Sequence, residues 1–207
     1  MLHLYVGSKR LSSWSLRPYL ALAHAGLPFE LTVIPLDAPT TAAQIAKVAP
    51  HQRVPVLHHG AAVIWDSLAI CEYVAELAPA ARLWPAEPLQ RAKARSMSAE
   101  MHAGFAALRT HMPFALLEDR TGQGQVPEAL ADAARVQSMW AEQLTISGGP
   151  FLFGTFTIAD AMFAPVASRF RTYGIPLDAV GAAYSAALFE LPAMRAWMRD
   201  AEAERAG

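Results

Sequence analysis

The hydrophobic pattern of this chain changes period once, near residue 80, and does not change back. Before that point, short runs of period two alternate with runs of helical spacing. Leu2, Leu4 and Val6 alternate with His3 and Tyr5, which predicts a strand. From residue 15 to residue 24, Leu16, Tyr19, Leu20 and Ala23 follow helical spacing. Pro18 suits a first turn there, and Gly26 suits the stop. A β-rich stretch over 29–34 is closed by Pro35, and 42–48 is an alanine-rich helix candidate. The runs 54–57 and 62–65 flank His59-Gly60 as a hairpin, and a helix begins near Ser67, with Ile70, Tyr73, Val74 and Leu77 on one face. The order β-α-β-α-β-β-α permits a small mixed sheet with helices packed on it.

After Pro79 only the helical period remains. Leu83-Trp84-Pro85 and Pro88 form a proline-punctuated linker, and helical pieces are expected over 89–118, 128–145, 159–173 and 191–204, with no strand signal and no repeat. The expected layout is an α/β domain at 1–80, a linker at 81–88 and an all-helical domain at 89–207.

Composition narrows the function classes. With 54% hydrophobic residues in 207, the chain can bury one large core or two modest ones, which excludes a disordered or fibrous protein. Lys plus Arg is 17 against 18 for Asp plus Glu, so no net field draws the chain to nucleic acid or an anionic membrane; a small-molecule partner is expected. MLHLYVGSKR lacks the apolar stretch of a signal peptide, and no apolar run reaches membrane-spanning length. A single cysteine, Cys71, allows no internal disulfide, so a cytoplasmic setting is expected.

Three features of the first domain can carry chemistry. Ser12-Ser13-Trp14-Ser15-Leu16-Arg17 stands where the first strand hands over to the first helix. Hydroxyls there either cap the helix or donate to an anion held at its positive end. Val54-Pro55-Val56 opens a strand after the turn Pro50-His51-Gln52-Arg53. Pro55 is either an ordinary edge-strand proline or a cis residue that turns the Val54 N–H and C=O towards an extended, peptide-like ligand. Asp66-Ser67 precedes a helix, and both are good N-caps. The same site offers a hydroxyl and N–H groups to a carboxylate, and Asp66 to an ammonium; an α-amino acid head carries both.

SSWSLRPYLAL after a first strand, the VPVL strand, the Asp-Ser pair before a helix and the LWP linker together resemble the cytosolic glutathione transferases over essentially the whole chain. The resemblance implies a thioredoxin-like N-terminal domain and an all-α C-terminal bundle. Thr157-Ile158-Ala159-Asp160 is similar to the capping-box segment that starts that family's buried core helix, a structural role. The SSWSLR segment is similar to the serine motif of zeta-class members, which places Ser12, with Ser13 as its rival, against the glutathione sulfur. Val54 would pair its backbone with the cysteinyl part of glutathione, Asp66 and Ser67 would bind the γ-glutamyl head, and Arg53 a glutathione carboxylate.

Trp14 stands where the zeta-class pattern has cysteine, which removes thiol-disulfide chemistry at that position and counts against zeta-type isomerisation. Cys71, among Leu68, Ile70 and Val74, reads as a small buried hydrophobe. Met97, Met101, Phe105, Leu108 and Phe114 are either core or an apolar wall for a hydrophobic electrophile, and Glu100 with His102 either faces solvent or touches that substrate. No metal-ligand spacing, Gly-rich phosphate loop or Gly-x-Ser-x-Gly elbow is present. The expected activity is conjugation of glutathione to an apolar electrophile by a homodimer. The alternatives are glutathione-dependent cis-trans isomerisation and a non-catalytic binding module of the same fold.

Overall fold

The structure, a computed structural model, describes residues 1–206. Strands β1 (Leu2–Gly7), β2 (Phe29–Ile34), β3 (Val56–His59) and β4 (Ala62–Trp65) form one sheet in the order β2-β1-β3-β4. β1 runs parallel to β2 through the crossover helix α1 (Ser13–Ala25). β3 runs antiparallel to both β1 and β4. The hairpin between β3 and β4 turns at Gly60, whose φ of 61° lies in the left-handed region. α2 (Thr41–Val48) and its C-cap Ala49 cover one face of the sheet, with Ile45 and Ala49 packed with Ile34 and Val56. α1 and α3 (Ser67–Leu77) cover the other face.

One continuous core runs from that second face into the helical half. It joins Leu4, Leu16 and Leu20 to Trp140, Phe163 and Trp197, all essentially buried. Burying a side chain of this size is worth about 1.5–3 kcal/mol. The helical half contains α4 (Pro88–Ala103), α5 (Ala106–His111), α6 (Pro127–Ser147), α7 (Ile158–Tyr173), α8 (Ala179–Glu190) and α9 (Pro192–Ala206).

Three expectations need correction. The single helix expected over 89–118 is broken: α4 ends at Gly104, Phe105 takes a left-handed φ of 59°, and α5 stops at His111 before Pro113. A Cβ at Gly104 would come within 2.8 Å of the Glu100 carbonyl oxygen, so the bend needs glycine there. The helix α8 was not anticipated, because its apolar residues fall on all sides and leave no stripe to read. Pro18 does not sit in a first turn. α1 starts at Ser13, so Pro18 is interior and takes the i+4 donor from the Trp14 carbonyl.

The five apolar residues considered for a substrate wall, Met97, Met101, Phe105, Leu108 and Phe114, are all core. Cys71 is buried as expected, and burial pushes its thiol well above the ordinary range.

Candidate functional site

The loop between β1 and α1 is held by α9. Glu204 accepts hydrogen bonds from the Lys9 and Arg10 N–H groups at 2.9 and 3.3 Å, and Trp197 Nε1 donates to the Lys9 carbonyl at 2.9 Å. The Lys9 ammonium lies near the Tyr19 and Trp197 rings and pairs with Asp200. This clamp fixes the mouth of α1, where the two candidate serines stand.

The hydroxyls of these serines have different partners. Ser12 is the N-cap of α1: its Oγ accepts from the Ser15 N–H at 3.3 Å and donates to Ser15 Oγ at 2.7 Å. Ser15 Oγ in turn accepts from the Gly7 N–H. Ser13 Oγ accepts from Arg169 Nη2 at 3.4 Å, which leaves its own proton uncommitted. Both serines are buried.

The Val54–Pro55 peptide is cis, the second of the two readings for that proline, and Val54 lies just ahead of Val56, the first residue paired in the sheet. Across from it, Asp66 has a φ of 74°, a conformation non-glycine residues seldom adopt and Asp tolerates better than most. In that conformation its Oδ1 caps α3, accepting from the Leu68 and Ala69 N–H groups at 2.9 and 3.2 Å. Oδ2 lies 3.1 Å from His102 Nε2 on α4. Ser67 is buried with no partner for its Oγ, an unmet hydroxyl at the N-terminus of α3.

These groups line one cleft of about 540 Å³: Arg53, Val54, Pro55, Asp66 and Ser67 from the sheet half, His102 from the helical half, with Trp14, His51 and Trp65 as aromatic walls. Four of the six residues singled out from sequence therefore meet, whereas Ser12 and Ser13 do not line the cleft. A larger cavity of about 790 Å³ lies between α7, α9 and residues 116–121 and is lined by none of the six. Sequence reasoning missed Trp65 and gave His51 no role. Their one signal was an aromatic residue beside each motif, and in the fold the two rings stack at 5.6 Å.

Burial is the main cause that pushes the His102 imidazole below its ordinary value. Arg17 and Arg109 add to the shift, and Asp66 pulls the other way. His102 Nδ1 is buried and unpartnered, so a second proton there would have no acceptor. At neutral pH His102 is therefore neutral and sets no positive charge against Asp66.

The match to known families follows this geometry. The glutathione S-transferase N-terminal domain matches residues 11–77, and the glutathione S-transferase C-terminal domain matches residues 90–200. The chain belongs to the glutathione S-transferase family. Among relatives of this transferase, a probable maleylacetoacetate isomerase of Caenorhabditis elegans is 29% identical over 168 residues, covering 77% of each chain. The maleylacetoacetate isomerase of Rattus norvegicus is 27% identical, covering 81% of this chain and 78% of its own. A glutathione transferase homologue from Burkholderia, solved with bound glutathione, shares the fold with a TM-score of 0.75 at 24% identity and 98% coverage of both chains. Among the described residues of this family member, no helix is long and apolar enough to cross a membrane.

Proposed function

We propose that this protein binds glutathione in the Trp14–Asp66 cleft, activates its thiol at the mouth of α1, and conjugates it to an electrophile held against the helical half. The observation that carries this reading is the convergence in one cleft of Val54, outside the ladder, with Asp66 and the unmet hydroxyl of Ser67. The glutathione-binding domain is assigned to residues 1–80, the linker to 81–88 and the helical domain to 89–207. A homodimer in the cytoplasm is the form expected for the family resemblance.

The residues fit glutathione's chemistry at three points. Val54 offers a backbone N–H and C=O to the cysteinyl segment, as in strand addition. Asp66 takes the γ-glutamyl ammonium, while the Ser67 hydroxyl at the positive end of α3 takes its carboxylate. Arg53 faces a remaining carboxylate. Glutathione supplies the thiol that becomes the nucleophile.

A free thiol titrates near a pKa of about 8.5, so the protein must favour the anion by hydrogen bonding and the helix dipole. Ser13 is the better placed donor. Its proton is uncommitted, and the Arg169 guanidinium, donating to its oxygen, makes that proton more acidic; the Ser12 proton is already spent on Ser15.

Asp66→Asn tests the cleft. Asparagine keeps the cap and tolerates the left-handed backbone but carries no charge. Calorimetry is expected to show glutathione bound about tenfold more weakly, roughly 1.4 kcal/mol, with little change in melting temperature. Unchanged affinity would remove Asp66 from the site.

The pH dependence follows from His102. Its value is lowered in the fold, so the stability it contributes is present above the free-histidine pKa of 6.5 and is lost as pH falls through the folded value. Protonation also sets a cation against Asp66, in competition with a ligand ammonium. S-methylglutathione, which has no thiol proton to release, is expected to bind about tenfold more weakly at pH 5 than at pH 7, and His102→Gln to flatten that profile. A profile already flat in the parent protein would contradict the assignment.

The second reading, glutathione-dependent cis-trans isomerisation, is supported by the relatives named maleylacetoacetate isomerase. Trp14, in place of the zeta-class cysteine, counts against it. Turnover of a maleyl-type diacid faster than conjugation of neutral electrophiles would favour isomerisation.

A further inference from the structure

The turn from β1 into α1 satisfies only part of its backbone locally. The Leu11 and Ser12 N–H groups both donate to the Ser8 carbonyl, at 3.0 and 2.9 Å. The N–H groups of Lys9 and Arg10 find their acceptor outside the turn. Two successive N–H groups on one bend form a concave donor pair that favours an anion. Glu204, 195 positions along the chain from Lys9, fills it, with Oε1 taking the Lys9 N–H and Oε2 the Arg10 N–H.

The carbonyls of the same two residues are also bonded from the helical half. Trp197 Nε1 donates to the Lys9 carbonyl, and the Leu116 N–H donates to that of Arg10 at 3.0 Å. One turn before Glu204 on α9, Asp200 pairs with the Lys9 ammonium, whose side chain is only 4% exposed. Both carboxylates of that α9 face are thus committed to the turn, and Ser12, the cap of α1, follows Arg10 by two positions.

We infer that Glu204 is a positioning residue for thiol activation: by holding the Lys9 and Arg10 N–H groups it keeps the Ser12–Ser13 hydroxyls in place for the sulfur of bound glutathione. The inference rests on the glutathione reading of the cleft given above. Among the described residues, none of α9 lines that cleft. The tripeptide is therefore gripped from Val54, Asp66 and Ser67, while the place of its proton donor is set from α9. Charge and position act on the thiol in opposite directions. A carboxylate near a thiolate disfavours the anion, so removing the Glu204 charge by itself would lower the thiol pKa. Losing a held donor raises it, and the sign of the shift tells the two roles apart.

The test follows the thiolate absorbance of bound glutathione against pH in the whole protein, with melting temperature and calorimetric glutathione affinity measured alongside. In Glu204→Gln, whose amide offers one acceptor oxygen where the carboxylate offers two, the midpoint is expected to rise by about one unit, tenfold in the thiol–thiolate equilibrium. At about pH 5.5, where the bound thiol is protonated in both proteins, glutathione affinity is expected to change less than about twofold. Glu204→Asp keeps the charge but draws it back by one methylene. Its midpoint is expected to rise as well, by less, and it serves if Glu204→Gln does not fold. A parent midpoint below the free-thiol value that stays put or falls further in both variants overturns the inference alone, and with a lowered melting temperature leaves Glu204 a structural clamp. An affinity loss of about tenfold at pH 5.5 also overturns it, because α9 would then hold glutathione itself. A parent midpoint equal to that of free glutathione brings down the thiol-activation reading and this inference with it.

Discussion

Replacing Ser13 by alanine is expected to lower kcat/KM for glutathione conjugation about 100-fold, with the thiol pKa of bound glutathione rising by roughly two units; both correspond to about 2.7 kcal/mol. The physical ground is that the Ser13 proton at the mouth of α1 is not already committed. Ser13 Oγ accepts from Arg169 and has no acceptor for its own hydrogen, whereas the Ser12 hydrogen is directed to Ser15. Ser12→Ala removes a helix cap and is expected to cost about 1 kcal/mol of stability with a smaller effect on the thiol. Family resemblance alone favours Ser12. The reverse outcome, loss of thiol activation in Ser12→Ala and little change in Ser13→Ala, would restore that order and show that Ser12 turns away from Ser15 when ligand is present. No effect in either variant would dismiss serine activation.

The second large effect lies far from the cleft. Asp160 is fully buried at the start of α7, where four donors converge on it. Oδ1 accepts from the Leu152 N–H and the Tyr184 hydroxyl, each at 3.0 Å, and Oδ2 from the Thr157 N–H and hydroxyl at 2.8 and 3.0 Å. Burial raises its carboxyl to about 6 even against those four donors, so it is ionised at neutral pH. Asp160→Ala removes the acceptor and leaves the donors buried without a partner. The expected cost is about 4 kcal/mol, which in a chain of this size lowers the melting temperature by on the order of 10 °C. Because α7 packs against both α1 and α4, the loss extends to the frame that brings Trp14 and His102 together. A melting temperature within about 2 °C of the parent would show that the core around Trp140, Phe163 and Tyr184 closes over the vacated site without difficulty.

The sheet half was legible because its signals are local. The period-two run at 2–6, the short apolar run at 62–65, the stops at Gly26 and Pro35, and the Gly60 turn each report on their own neighbourhood, and the cleft residues Val54, Asp66 and Ser67 adjoin such boundaries. The helical half was legible in kind more than in detail. The break between α4 and α5 turns on Gly104 and a left-handed Phe105 inside an otherwise helical pattern, and α8 has no polar face to mark it.

The contacts that decide the chemistry are the least local of all. His102 reaches Asp66 across 36 positions of sequence because α4 passes over the start of α3. Arg169 reaches Ser13 across 156, through the packing of α7 on α1. The same non-locality separates the two serines: adjacent in sequence and equally plausible as donors, they differ only in partners brought by the fold.

The ultraviolet absorbance of bound thiolate, followed against pH, measures directly whether the mouth of α1 holds the glutathione sulfur as an anion. The expected midpoint lies about two units below the free-thiol value of roughly 8.5, with glutathione saturating the protein at millimolar concentration. A midpoint unchanged from free glutathione in a protein that binds it, or no binding at all, would mean that the mouth of α1 does not activate the thiol.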